Sequence, residues 1–213
     1  TLAEGIQAFS IIISGVTSTV SLPTVSAGED TNACEDGTAQ LSGSAANYSA
    51  FVWETAGDGT FDDATIMTPI YTPGTNDVIS GSVDLILKAY TLPPINDSVT
   101  DEVLLTIIYN PVADAGDDII ICEGEFAGLN GQAQNAETVL WSSSGDGTFD
   151  DASLYNAIYT PGSSDIDAGS VSLTFVVNAV SPCVSGDIDF LNLVINGQPQ
   201  ANAGPDGETC GSN

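Results

Sequence analysis

The chain has 213 residues, 42% of them hydrophobic, and carries 29 Asp and Glu against a single basic residue, Lys88, with no His, for a formal charge of -28. Nucleic-acid affinity rests on Lys and Arg neutralising phosphates, and anionic headgroups repel an acidic surface, so neither nucleic acid nor an anionic membrane is a credible partner. Catalysis that needs imidazole or an arginine clamp lacks its residue, which leaves acid chemistry, cation binding or a purely structural role.

The composition is that of a folded chain. Its 22 Gly and 10 Pro fall well short of low-complexity levels. No apolar run approaches the ~18 residues of a membrane-spanning helix, so direct membrane insertion is not expected. No basic segment precedes the first apolar run, and the sequence reads as an already processed or excised segment.

Residues 1–22 hold two apolar runs, and Glu4–Ile13 lines up with Ala168–Val177 further on. They are expected to form the last hairpin of a preceding or partner-completed unit. From Pro23 the chain repeats itself. Pro23, Gly28, Cys34, Trp53, Tyr71 and Gly81 recur as Pro111, Gly116, Cys122, Trp141, Tyr159 and Gly169, always 88 positions on. The eight residues 57–64, Gly-Asp-Gly-Thr-Phe-Asp-Asp-Ala, return unchanged as 145–152. Repeats of this length define units, here 23–110 and 111–198, with 199–213 the start of a third.

Within a unit the apolar period is two. Val171, Leu173, Phe175 and Val177 alternate with Ser170, Ser172 and Thr174, the pattern of a strand with one buried face. Val103, Leu105 and Ile107 repeat as Leu191, Leu193 and Ile195, and further strands are expected within 127–131, 138–142 and 157–160. No helical stripe stands out. Six or seven short strands per unit imply an all-β chain of tandem immunoglobulin-like β-sandwich domains, with Trp53 and Trp141 as inward packing centres on the third strand and Tyr71 and Tyr159 as packing residues.

Together, Ala-Gly-x-Asp…Cys, Trp…Gly-Asp-Gly-Thr-Phe-Asp-Asp-Ala, Tyr-Thr-Pro-Gly and Gly-Ser-Val-x-Leu resemble the tandem Ig-like, PKD-like repeats of very large secreted surface proteins of Bacteroidota, among them gliding-motility-associated adhesins. The resemblance covers residues 23–198. It implies an exported cell-surface chain that acts as adhesin, stalk or filament without catalysis in the repeats. Close joints at Pro111 and Pro199 suggest a fairly stiff rod.

Three sets of residues are candidates for more than packing. Cys122 and Cys183 lie in one unit, and a bridge between them, worth roughly 4 kcal/mol in the chain-entropy model, would mark an oxidising compartment; the competing reading is buried free thiols. Cys34 and Cys210 are then left over, Cys34 as a relic thiol or an interchain partner, and Cys210 paired in the remainder of its own unit. Asp58, Asp62 and Asp63, with Asp146, Asp150 and Asp151, could supply hard oxygens to Ca²⁺, against the plainer reading of a turn and a solvated loop. A second calcium candidate sits at the junction, where Asp97, Asp101 and Glu102 would approach Asp114, Asp117 and Asp118. Asn47 and Asn96 begin N-glycosylation sequons, and Ser98 follows Asp97 in an Asp-Ser-aliphatic pattern of O-glycosylation.

The reading that follows is an extracellular structural and adhesive repeat, partnered by other copies of itself or adjacent repeats, with surface glycans as a further candidate partner. Strand exchange through Phe9–Val16 or Thr19–Val25 would assemble it, and calcium would rigidify it. The alternative is a calcium-dependent carbohydrate-binding module of a secreted protein. Thirteen acidic residues fall in 23–110 and thirteen in 111–198, so the charge belongs to the repeat and not to a tail.

Overall fold

The structure, a computed structural model, describes residues 9–13, 16–199, 201, 202 and 204. It begins with an antiparallel hairpin, β1 (Phe9–Ile13) and β2 (Val16–Val20), paired in register from Phe9↔Val20 to Ile13↔Val16 and forming a two-stranded sheet. Thr24–Val25, the end of one expected donor segment, lies in β3 (Thr24–Ser26), which pairs with Ser44–Ala46 of its own repeat.

The first repeat continues with β4 (Thr31–Cys34), β5 (Ala39–Gln40), β6 (Ser44–Ala46), β7 (Tyr48–Thr55), β8 (Thr60–Phe61), β9 (Ile70–Thr72), α1 (Thr75–Ser80), β10 (Ser82–Thr91) and β11 (Ser98–Ile108). One sheet has the order β4-β11-β10-β7, with β4 parallel to β11; facing it are the pair β3-β6 and the three-stranded β5-β9-β8. The alternation read in the sequence builds the core. On β10, Val83, Leu85, Leu87 and Ala89 point inward, and on β11 Val103, Leu105 and Ile107 do the same.

The second repeat has the same order: β12 (Val112–Asp114), β13 (Ile119–Cys122), β14 (Ala127–Gly128), β15 (Gln132–Gln134), β16 (Ala136–Ser143), β17 (Thr148–Phe149), β18 (Ile158–Thr160), α2 (Ser163–Ala168), β19 (Ser170–Ala179) and β20 (Asp187–Asn196). Its sheets are β13-β20-β19-β16, β12-β15 and β14-β18-β17. Trp53 and Trp141 are 2% exposed and Tyr71 and Tyr159 fully buried, each in the core of its own repeat. The Nε1 groups of both tryptophans have no hydrogen-bond partner, so the indoles serve packing alone.

The short helices are a departure from the sequence reading. Six residues make less than two turns, too few for an apolar stripe to register. Their ends carry the signal instead. Gly81 and Gly169 sit at the C-termini with φ of 74° and 75°, the left-handed conformation that glycine adopts without strain. No helix among the described residues is long and apolar enough to cross a membrane.

Contacts divide the chain into two compact units. The first runs to Asn110 and also takes in Ala179–Ser185; the second comprises Pro111–Asn178 and the chain from Gly186 on. The reason the β19–β20 loop belongs to the first unit is covalent: Cys183 is bonded to Cys34, 149 residues earlier. The expected Cys122–Cys183 bridge is therefore not formed, and Cys122 is a free, exposed thiol. Membership of one repeat was the wrong guide, because a loop between two strands projects from the end of its own sandwich and can meet a different partner. Cys210 lies outside the described residues. Alkylation of the unreduced chain followed by proteolysis and mass spectrometry should recover Cys34 and Cys183 in one linked peptide and Cys122 as the alkylated thiol; a Cys122–Cys183 peptide would contradict the pairing.

Candidate functional site

In the loop repeated without change, 57–64 and 145–152, whose acids suit either calcium or a turn, the carboxylates are engaged by hydrogen-bond donors of the protein. Asp58 accepts hydrogen bonds from the backbone N–H groups of Asn76 (3.1 Å) and Asp77 (3.2 Å) and from Asn76 Nδ2 (2.9 Å), so it caps the first turn of α1. Asp77 answers it. Its carboxylate, 3% exposed, accepts the N–H groups of Asp58 (3.2 Å), Gly59 (3.0 Å) and Gly74 (3.0 Å) and the Tyr71 hydroxyl (2.6 Å). Loop and helix thus exchange carboxylate–amide bonds in both directions. The second repeat reproduces the exchange: Asp146 accepts from Ser164 and Asp165, and Asp165 from Asp146 (3.2 Å), Gly147 (3.1 Å), Gly162 (3.1 Å) and Tyr159 Oη (2.6 Å).

The glycines follow from this closeness. A Cβ on Gly57 or Gly145 would fall on the Asp77 or Asp165 carboxylate, and one on Gly74 or Gly162 would fall on Asp58 or Asp146. The loop's remaining acids close turns. Asp62 Oδ1 accepts from Asp63 N (2.7 Å) and Ile70 N (2.8 Å), and Asp150 likewise from Asp151 and Ile158. Asp63 Oδ1 accepts both the N–H (2.9 Å) and the hydroxyl (2.6 Å) of Thr65, as Asp151 does from Ser153.

Protonation states agree with these roles. Burial alone would raise the Asp77 pKa, but the bonds from Tyr71, Gly74, Asp58 and Gly59 outweigh it and hold the carboxyl below its ordinary value. Donors also lower Asp63 (Thr65 hydroxyl), Asp146 (Ser164 N–H), Asp150 (Ile158 N–H) and Asp151 (Ser153 hydroxyl). Desolvation, then the neighbouring carboxylate, pushes Tyr71 and Tyr159 up to about 12.

Four of the six junction acids, Asp97, Asp101, Asp114 and Asp118, are engaged within their own repeats, while Glu102 is exposed on β11. Asp101 accepts Ala27 N (2.8 Å) and Asp189 accepts Ala115 N (2.8 Å). Asp118 accepts Asn192 N (2.8 Å), as Asp30 accepts Leu104 N (3.0 Å), and Asp114 accepts Gly116 N (2.9 Å). Asp97 caps Ser98 N, while Asp117 stands exposed beside Asp114 and Asp118 in a shallow depression. Among the described residues no group of three or more Asp, Glu or Cys is placed to hold a metal ion, so neither calcium expectation finds a fitting donor set. Asn47 is an exposed residue at φ 57° in the turn before β7, Asn96 is exposed in the β10–β11 loop, and Ser98 is half-buried at the start of β11.

Large exposed aromatics are few. Phe126 (65% exposed) and Phe190 (68%) occupy positions held by Thr38 and Glu102 in the first repeat, so their exposure is not a property of the repeat. What sequence reasoning missed is Asp77 and Asp165. Both stand three residues after Gly74 and Gly162, the spacing of a helix-capping carboxylate, which was the available signal.

No family model and no curated protein matches this chain. Among solved structures, extracellular repeats 22–24 of mouse cadherin-23 match with a TM-score of 0.50 and 12% identity over 83% of this chain and 67% of that one. Domains 3–5 of Drosophila OTK match at 0.48 and 11%, over 83% and 63%. Cadherin domains 3–6 of protocadherin gamma B2 match at 0.45 and 11% over 81% of this chain, which spans about half (47%) of that structure. The class that the cadherin-23 match and the described strands define is a fold: two tandem Ig-like, cadherin-type β-sandwiches. They do not reach the narrower bacterial family the sequence resembles.

Two predictions follow from the exchanged carboxylates. Asp77→Asn, which keeps the volume but turns an amide NH₂ toward N–H donors, should destabilise the first repeat by about 2–4 kcal/mol, and Tyr71→Phe by about 1–3 kcal/mol. Denaturation followed through Trp53 in a Trp141→Phe background reads either change. The second concerns pH. A depressed Asp77 pKa gives stability present above its unfolded value near ~4 and lost as pH falls through the folded value. Raised tyrosines give stability intact below ~10 and lost as pH climbs toward about 12. Stability should therefore be level between those limits and fall on both sides, and Tyr71→Phe should remove the first repeat's share of the alkaline fall.

Proposed function

We propose that this chain is an extracellular, non-catalytic structural and adhesive segment of a bacterial cell-surface adhesin or filament, organised as repeats 23–110 and 111–198 with flanking segments 1–22 and 199–213. The observation that carries the reading is the twofold use of one acidic loop: each copy commits its carboxylates to the same backbone donors, leaving a scaffold unit where an enzyme would keep reactive groups exposed to a cleft. Repetition, a disulfide and an acidic surface that repels other anionic surfaces suit the outside of a cell.

Assembly with other copies is part of the proposal. A two-stranded hairpin is marginal on its own, so β1 and β2 would gain most from further strands supplied by a neighbouring subunit. Antibody labelling of intact producing cells should detect the chain without permeabilisation, and sedimentation should show self-association that deletion of residues 1–22 abolishes. Labelling only after permeabilisation would refute the surface assignment, and a monomer at all concentrations the strand exchange. Calcium- and glycan-dependent binding, the alternative reading, would show as calcium-dependent retention on a glycan array.

A further inference from the structure

Cys122 is exposed and unpaired, whereas Cys34, its counterpart one repeat earlier, is disulfide-bonded. The two positions are built alike. Cys34 closes β4 opposite Ile108 of β11, and Cys122 closes β13 opposite Asn196 of β20, both in parallel register. One residue on, Glu35 N donates to Ile108 O (2.9 Å) and Glu123 N to Asn196 O (2.8 Å). The glutamate side chains then turn back, Glu35 onto Asn110 N (3.0 Å) and Glu123 onto Gln198 N (3.3 Å). Each cysteine carbonyl accepts from the following turn, Cys34 from Gly37 N (2.9 Å) and Cys122 from Glu125 N (3.0 Å).

The bonding partner also has a fixed place. Cys183 sits in the β19–β20 loop, in a turn closed by its own N–H to Val180 O (3.0 Å). The corresponding β10–β11 loop closes the same way, Ile95 N to Leu92 O (3.2 Å), but offers isoleucine in place of cysteine. The observed bond therefore has a direction along the sequence: the loop cysteine of one repeat joins the β4-type cysteine of the repeat before it. Cys122 is the β4-type cysteine of the second repeat, and Cys210 holds the same phase 88 residues on.

We propose that Cys122 is a cross-linking site whose partner is the loop cysteine of a repeat placed after residue 198, so that the disulfides form a ladder joining each repeat to the next. The bond forms by two exchanges with a small-molecule disulfide such as oxidised glutathione. One thiolate attacks it and expels one glutathione, and the second thiolate attacks the resulting mixed disulfide and expels the other. Two protein thiols are oxidised, and one glutathione disulfide is reduced to two thiols, which take up the two protons.

The test inserts a second copy of residues 111–198 between Gln198 and Pro199 of the full chain. In the inserted copy Cys122→Ser removes the competing thiol, and Val184→Ile, at a side chain 94% exposed, marks its loop peptide by mass. After equilibration in a glutathione redox buffer, alkylation and Asp-N digestion, Cys122 should be lost from the alkylated pool and recovered in a peptide linked to the marked loop. Cys183→Ser in the inserted copy should return Cys122 to the alkylated pool. The Cys34–Cys183 peptide in the same digest reports that the repeats have folded. Cys122 that stays alkylatable beside an intact Cys34–Cys183 bond overturns the proposal, as does its recovery linked to Cys210 or to a second chain. Absence of the Cys34–Cys183 bond removes the premise and overturns it as well.

Discussion

Each carboxylate of the Asp58–Asp77 pair accepts backbone N–H groups from the other's segment, and much of the repeat is arranged to permit that exchange. Asp77 is buried with charge, a state that is costly unless every lone pair is met, and it is met by three amides and a phenol. The Tyr71 ring packs in the core while its hydroxyl reaches the carboxylate, so the apolar centre and the polar loop are fastened at one residue. Glycines at 57, 59 and 74 clear the space the exchange occupies. A side chain at 57 or 74 would displace a carboxylate, and one at 59 would displace the Tyr71 hydroxyl that the carboxylate holds.

The same chemistry explains how a chain with one basic residue tolerates 29 acids. Lys88 pairs with Glu54 at 3.4 Å on the surface, an interaction of small value. Most of the other partners are backbone amides, joined by a few hydroxyls such as those of Tyr71 and Thr65. Asp101 and Asp189 bind the residue just after the first strand of each repeat, Asp30 and Asp118 bind the last strand, and Glu35 and Glu123 bind the chain as it leaves. Aspartate is short enough to reach an N–H two residues away and to receive one from a crossing strand, so a single residue type does the work that salt bridges do in a balanced surface.

How much of this the sequence disclosed depended on range. Period-two alternation placed β10, β11, β19 and β20, because one buried face imposes its pattern on every second residue, and the inward tryptophans followed from their strand position. Helices α1 and α2 left no periodic trace at six residues each, and Asp77 looked like any loop acid until its capping position was seen. The disulfide was read wrongly because spacing cannot distinguish a partner in the same repeat from one in the neighbouring repeat. The acidic loop left two readings open, because its residue types suit calcium while hydrogen bonds to amides use the same oxygens, and only the fold decides between them.

The Cys34–Cys183 bond also fixes how the chain would answer a pull on its two ends. Tension entering at residue 34 crosses directly to residue 183 and bypasses everything between, a stretch with a sequence separation of 149. At ~3.4 Å per extended residue, about 500 Å of contour length is withheld for as long as the bond lasts. The strands from β5 to β19 then carry no load, and reduction would pass the load to them, so that this length becomes available as each repeat unfolds and the thiol state of the surroundings controls extensibility.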